Sequence, residues 1–293
     1  MGNFKQNLEN QRERFVKVFN DTLDYIKENS KLSRSVEDSR IYSTYYLNQT
    51  LGSEPSKKEK VYFNNVFVTK NKTFEAAIKL HKEYPSHEIA VLNFASATTP
   101  GGGVTKGSSA QEESLCRCST LYHCLNWKKS WDLFYNPHRT ELSPLHNNDI
   151  IYNHYVTICK SDDGNYTRLP EKDFVTVDVI TCAAPNLREK PSNQYNTYGK
   201  EIEAINISDD ELYKIHLDRA RCILNAAVLE GAEILVLGAF GCGAFKNNPY
   251  IVAKAYKEAL KDYLDKFVEI EFAVYCKSYE DENYKAFKEV FGE

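Results

Sequence analysis

Glu88-Ile89-Ala90-Val91-Leu92-Asn93-Phe94, followed at once by Ala95-Ser96-Ala97-Thr98-Thr99-Pro100-Gly101-Gly102-Gly103, is the stretch from which the fold can be read. The run Ile-Ala-Val-Leu has no polar side to turn to water, the pattern of a strand buried on both faces of a sheet. A glycine-rich loop leaves it, and the spacing beyond predicts a helix from about Ala110 to Leu125. Outward from this unit the alternation continues. On the N-terminal side Val61–Phe63 and Val66–Val68 read as short strands and Thr73–His81 as a helix. On the C-terminal side Asp149–Cys159 and Phe174–Cys182 read as strands separated by the turn signal Asp162-Asp163-Gly164-Asn165. An amphipathic helix Asp210–Leu229 stopped by Gly231, a strand Ile234–Leu237, a helix Pro249–Phe267, a strand Glu269–Cys276 and a helix Glu282–Phe291 complete the series. Such an order predicts an α/β fold in three α/β/α layers around a mixed central sheet.

The alternation is expected to begin only after about residue 60. Before it, Phe15, Val18, Phe19, Thr22, Leu23 and Ile26 recur at helical steps, and Ser30–Lys60 reads as irregular. Residues 1–59 are therefore expected to form a mainly helical N-terminal extension, and residues 60–293 the α/β domain.

Composition narrows the function. The chain has 293 residues, 42% of them hydrophobic, with a formal net charge of -4, so it is an ordinary globular chain without the broad positive field that attracts a nucleic-acid backbone. Sequence-specific nucleic-acid binding is not expected. Eight cysteines in a chain of this length do not make a disulfide scaffold. Met1–Ser30 is charged and lacks the apolar run of a signal peptide, and no stretch reaches the roughly eighteen apolar residues that span a bilayer. The expected compartment is the cytoplasm, with free thiols and no membrane partner.

Glycine placement points to the chemistry. Seven of the thirteen glycines fall in two windows, Gly101–Gly107 and Gly238–Gly243, each between a strand and a helix. In open α/β sheets ligands bind at such junctions. The second window, Leu237-Gly238-Ala239-Phe240-Gly241-Cys242-Gly243-Ala244-Phe245, lacks both the third glycine of a dinucleotide fingerprint and a Gly-Lys-Ser/Thr ending. It can be a tight turn, or it can bring backbone N–H groups up to a phosphate or pyrophosphate. In the first window three successive glycines cost backbone entropy without packing in return, which suits close passage over a flat or bulky ligand.

Gln111-Glu112-Glu113 follows the first window. One reading is helix capping, Ser109 with Glu112 as a capping box. The other is catalysis. Adjacent carboxylates project about 100° apart on a helix, so they cannot face each other across a sugar as a two-carboxylate glycosidase pair does. One Glu would then both protonate the leaving oxygen and activate water, which suits Glu113, with Glu112 on sugar hydroxyls.

These residues resemble a known family. Gly101-Gly102-Gly103, seven residues, then Gln111-Glu112-Glu113 is similar to the signature of the poly(ADP-ribose) glycohydrolases, and Gly238–Phe245 resembles the diphosphate loop of the same macrodomain fold. Asn93–Ala97, Thr181–Asn186 and the helical extension resemble the shorter, bacterial-type branch. The resemblance implies Glu113 as acid/base and Glu112 as the residue that orients the ribose hydroxyls. It implies the triple glycine against the reacting ribose, Gly241, Cys242 and Gly243 at the diphosphate, Phe245 packed on the terminal ribose, and Gln111 and Ala244 also among the substrate-binding residues. It also implies exo-cleavage of ribose-ribose bonds in poly(ADP-ribose), release of ADP-ribose, and no metal or other cofactor. Partners would be the polymer or ADP-ribosylated macromolecules. A non-catalytic ADP-ribose-binding macrodomain and a hydrolase of another ADP-ribosyl linkage stay open at this point.

Of the remaining residues, Cys116, Cys118 and Cys124 are expected to be buried thiols, since neighbours on one helix point apart. Cys242 is the thiol expected to be sensitive to oxidation. His138, His146 and His154 are expected at the surface, and Trp127 and Trp131 as packing anchors.

Overall fold

The computed structural model describes residues 2–48, 63–192, 202–277, 279 and 281–292. In chain order its elements are α1 (Gly2–Glu28), α2 (Ser30–Tyr42), β1 (Thr44–Tyr46), β2 (Val66–Thr69), α3 (Thr73–Glu83), β3 (Ile89–Phe94), α4 (Gln111–Cys118), α5 (Leu121–Leu125), α6 (Lys128–Ser130), α7 (Asn136–Glu141), β4 (Ile150–Ile158), β5 (Val175–Cys182), α8 (Asp209–Leu229), β6 (Ile234–Leu237), α9 (Pro249–Leu260), β7 (Glu269–Ala273) and α10 (Glu282–Phe291). Among the described residues the strands form one seven-stranded sheet in the order β1-β4-β5-β3-β6-β7-β2. β5, β3, β6, β7 and β2 run parallel, while β4 and β1 are antiparallel to their inner neighbours. The sheet is mixed, as expected.

Strand alternation builds two cores. Ala90, Leu92, Leu235 and Leu237 face one way, packing with buried residues of α8, α9 and α10 such as Ile223, Val252 and Phe287. Ile89, Val91, Ile234 and Val236 face the other way, onto Phe74 of α3, Leu115 of α4 and Leu121 of α5. Because side chains of a strand alternate between faces, a polar residue in either register would place an unpaired group in one of these cores. Phe15 and Phe19 of α1 join the second core, so the apolar stripe of the first helix docks onto the sheet domain.

Five boundaries differ from expectation. Ser30–Tyr42 is helix rather than irregular chain: Asn29 caps it, accepting from Lys31 and Leu32 N–H, and Ser39 is fully buried on a face where a larger apolar residue would usually advertise the period. The sheet also starts before residue 60, because Tyr45 and Tyr46 pair with β4 as its edge strand. The helix expected over residues 110–125 is broken at Ser119 and Thr120, where Cys159 and Lys160 N–H bond to Cys118 O and Thr120 N–H bonds to Thr157 O. The helix expected to reach Phe267 stops at Leu260, and the Asn65 amide instead collects the Leu264 and Phe267 carbonyls. Phe63 lies outside any strand, packed on Phe291, while the rest of the strand expected at residues 61–63 and the boundary between residues 59 and 60 fall outside the described residues.

Candidate active site

β3 and β6 are parallel neighbours, so the loops that leave their C-terminal ends emerge side by side. Phe94, the last residue of β3, meets Phe240 at a ring-centroid distance of 5.7 Å. The two glycine windows, far apart in sequence, therefore share one rim of the sheet.

The first loop is wrapped around the two glutamates. Glu112 accepts from Ser96 N–H at 2.7 Å, from Gly101 N–H at 3.2 Å and from the Asn93 amide at 3.4 Å. Glu113 Oε1 accepts from Gly103 N–H at 2.9 Å. Gly102 sits between them at φ +55°, where a Cβ would lie 2.7 Å from Glu113 Oε1 and 3.1 Å from Glu112 Oε2. Only glycine fits both the left-handed backbone and the space. Although neighbouring helical positions diverge, both carboxylates bend to this one residue.

Electrostatics follow from burial. Glu112 and Glu113 are only 3% and 8% exposed. Burial pushes Glu112 well above the usual carboxyl range, and its neighbour's charge adds to this. Glu113 is likewise raised, chiefly by burial, against the opposing pull of Gly103 N–H, its own N–H, the Arg117 charge and Ala110 N–H. A carboxyl raised in this way holds its proton closer to neutral pH, as a general acid must.

Gln111 is tied to the sheet beside the glutamates. Its amide oxygen accepts from Phe94 N–H at 2.9 Å, while its NH2 donates to Leu92 O at 2.7 Å and Thr73 Oγ1 at 3.1 Å. The side chain is a brace that pins α4 to β3 and α3, with its donors engaged. The capping-box reading also gives way, because the N-cap is Ala110, not Ser109, and Glu112 binds the loop instead.

The second loop has the opposite character. Asn247, 2% exposed, donates to Gly241 O and Pro185 O, and its Oδ1 is bonded to His216 Nε2 at 2.8 Å. Gly241 adopts φ +78° with a would-be Cβ 2.6 Å from Ala184 Cβ, so the loop lies tight against the one leaving β5. Cys242 N–H is taken by Ala239 O, but the N–H groups of Gly241, Gly243, Ala244 and Phe245 meet no acceptor among the described residues. Such a run of backbone donors is suited to an anion. Phe245 is half-buried, with the Arg188 guanidinium 5.6 Å from its ring centroid.

Expectations change at four other residues. Cys242 is buried, its thiol pushed up by desolvation, so it lacks the exposed thiolate that oxidation needs. His138 is buried, its Nδ1 bonded to Phe134 O. His146 packs beside Phe245 and burial lowers it to about 3, while His154 is clasped between Asp178 and Glu230 and raised to about 9. None of the three is a free surface imidazole. The cysteines beside the glutamates are buried as expected, and among the described residues no cluster of His, Cys, Asp or Glu could hold a metal. No helix among the described residues is long and apolar enough to cross a membrane.

A family model described as microbial-type PARG, catalytic domain, matches residues 16–161, the span that carries the first glycine loop and both glutamates. The chain belongs to the microbial-type poly(ADP-ribose) glycohydrolases. Solved glycohydrolases of this kind share the fold over nearly the whole chain. The Thermomonospora curvata enzyme bound to the inhibitor ADP-HPD is 27% identical with a TM-score of 0.76, the match covering 95% of this chain and 99% of that one. The Deinococcus radiodurans enzyme in complex with ADP-ribose is 28% identical with a TM-score of 0.69, covering 88% of this chain and 96% of that one. No curated protein sequence matches. The glycohydrolase fold thus includes the helical extension as well as the α/β/α macrodomain layers.

Proposed function

We propose that this glycohydrolase removes ADP-ribose from the end of poly(ADP-ribose), with Glu113 as both acid and base. The observation that carries the reading is the juxtaposition at one rim of a buried Glu113, its carboxyl raised chiefly by that burial, and a loop of four N–H groups that meet no acceptor among the described residues. The diphosphate would lie on Gly241, Gly243, Ala244 and Phe245, which places the distal ribose over Gly101, Gly102 and Gly103. Glu113 then gives its proton to the departing ribose oxygen as the C–O bond breaks toward that oxygen. The resulting carboxylate takes a proton from water as the water oxygen attacks the oxocarbenium-like carbon. Glu112 fixes the loop and faces the sugar hydroxyls. We place residues 1–59 as the extension, residues 60–293 as the catalytic domain, and the protein in the cytoplasm, a reading supported by its eight free cysteines.

Glu113→Gln tests the assignment. Turnover of polymer should fall by about 10²- to 10⁴-fold while ADP-ribose affinity stays within a few-fold of wild type. Release of no ADP-ribose from polymer by the wild-type enzyme, or full turnover by the variant, would sink it.

A further inference from the structure

Arg117 is the least explained charge in the molecule. It lies on α4 one turn beyond Glu113, is 1% exposed, and forms no ion pair among the described residues. Its Nη1 donates to Ser108 O at 2.6 Å and its Nε has no partner. A buried guanidinium without a carboxylate is costly, so its retention calls for a reason other than stability.

The surroundings supply one. Ser108 N–H donates to Gly103 O at 3.1 Å, and a Cβ on Gly103 would collide with Ser108 Oγ. Gly103 N–H in turn holds Glu113 Oε1. The contacts close a ring: Glu113, Gly103, Ser108, Arg117, and one helical turn back to Glu113. The ring is sealed from the N-terminal side. Phe15 of α1 covers the guanidinium at 4.3 Å and Tyr166 at 5.5 Å, and the two rings meet edge to face at 5.9 Å. Thr22 of α1 donates to Arg117 O at 2.6 Å, and a Cβ on Gly107 would strike the Arg12 carbonyl.

We propose that Arg117 is a positioning residue for the glycosidic cleavage, holding the 103–108 turn under Glu113 and stabilising its carboxylate form, and that Phe15 of α1 keeps this charge dry. The inference rests on Glu113 as the acid/base. It gives the N-terminal helix a part in catalysis: excluding water from behind the site strengthens a charge–charge interaction that water would screen. Other titratable groups surround the α4 end that carries the two glutamates. On α4 they are Glu112 and the buried Cys116 thiol; Tyr122 and Tyr135 are neutral phenols; Asp162 is bonded to Ser114 and paired with Lys72, the residue that caps α3; Arg12 and Lys106 are exposed on the outer side of the loop. Arg117 is the buried cation of this set.

The test is a pH–rate profile for polymer cleavage, with ADP-ribose affinity measured beside it. With Glu113 acting as an acid, kcat/KM falls as pH rises through its pKa. Arg117→Met should move that descending limb upward by about one pH unit. It should also lower kcat by about 10²-fold through misplacement of the carboxyl, with ADP-ribose affinity kept. Arg117→Lys should return the limb to its wild-type position while leaving kcat reduced, because it restores the charge but not the reach to Ser108. Phe15→Ala should move the limb the same way as Arg117→Met by a smaller amount, and Phe15→Leu should leave it in place. A wild-type limb and kcat in folded Arg117→Met overturn the proposal; if that variant does not fold, an unmoved limb in Phe15→Ala does so. Glu113→Gln separates this from the parent reading: an inactive Glu113→Gln beside a normal Arg117→Met removes only the present inference, whereas an active Glu113→Gln removes both.

Discussion

The two glycine loops stand side by side yet use their backbones in opposite ways. In the first, Gly101 and Gly103 point their N–H groups at the protein's own carboxylates. In the second, those of Gly241, Gly243, Ala244 and Phe245 meet no acceptor among the described residues. One loop is organised around negative charge that the chain carries; the other, on the function proposed above, would receive negative charge that a ligand brings. On that proposal a chain of net charge -4 would take a diphosphate by an attraction that is local and dipolar, not by a field over the surface.

Substitutions at the glycines sharpen the contrast. The largest effect is expected for Gly102→Ala, which would set a methyl against both carboxylates at positive φ; kcat should drop about 10²-fold or more. Single-turnover assays would reveal it, and unchanged turnover would mean that the loop does not position Glu113. Gly241→Ala comes next. Its methyl meets Ala184, and the left-handed backbone adds about 1–2 kcal/mol of strain, so calorimetry should record weaker ADP-ribose binding together with a lower thermal midpoint. Gly243→Ala is the cleaner probe, since a Cβ there meets nothing within 4 Å. Stability should stay within about 0.5 kcal/mol. ADP-ribose affinity should fall roughly tenfold, about 1.4 kcal/mol, if the diphosphate needs that space; an unchanged affinity would move the ligand off this loop.

The smallest effect on the comparison belongs to His154, which sits between Asp178 of β5 and Glu230, the residue that closes α8 and precedes β6, away from the loop rim. The Asp178 bond raises it to about 9, above the ordinary histidine range, so its stabilisation is complete below about pH 6.5 and is lost as pH climbs through about 9. Thermal midpoints should decline over that interval and His154→Gln should flatten the decline, with kcat unaltered. A wild-type slope in the variant would assign the pH dependence elsewhere.

Much of this was legible in residues 88–113 alone. An apolar run of four announces a doubly buried strand, and three glycines with two glutamates at fixed spacing announce a site. What stayed hidden shares a physical cause, namely polar residues placed where only packing reveals them. α2 is held by Leu32, Val36 and a buried Ser39, too sparse an apolar stripe to show its period. β1 is three residues long. Gln111 gives no sign in sequence that its amide is held on the β3 backbone, nor Asn247 that it ties two loops together. Arg117 reads as an ordinary charge of an exposed helix; its one sequence signal is the four-residue step from Glu113.

The pairing of β2 with β7 reaches beyond the site. Val66 pairs alongside Ile270, and β7 also completes the row beyond β6, so β2 waits for a partner made long after it. Until then its backbone donors and acceptors lack their sheet mates, a condition that favours pairing with other chains. Nascent chains that carry β2 but not yet β7 are therefore the ones most exposed to misassembly, and loss of β7 would unpair β2 as well, taking two strands off one side of the sheet while leaving Glu113 and its loop encoded.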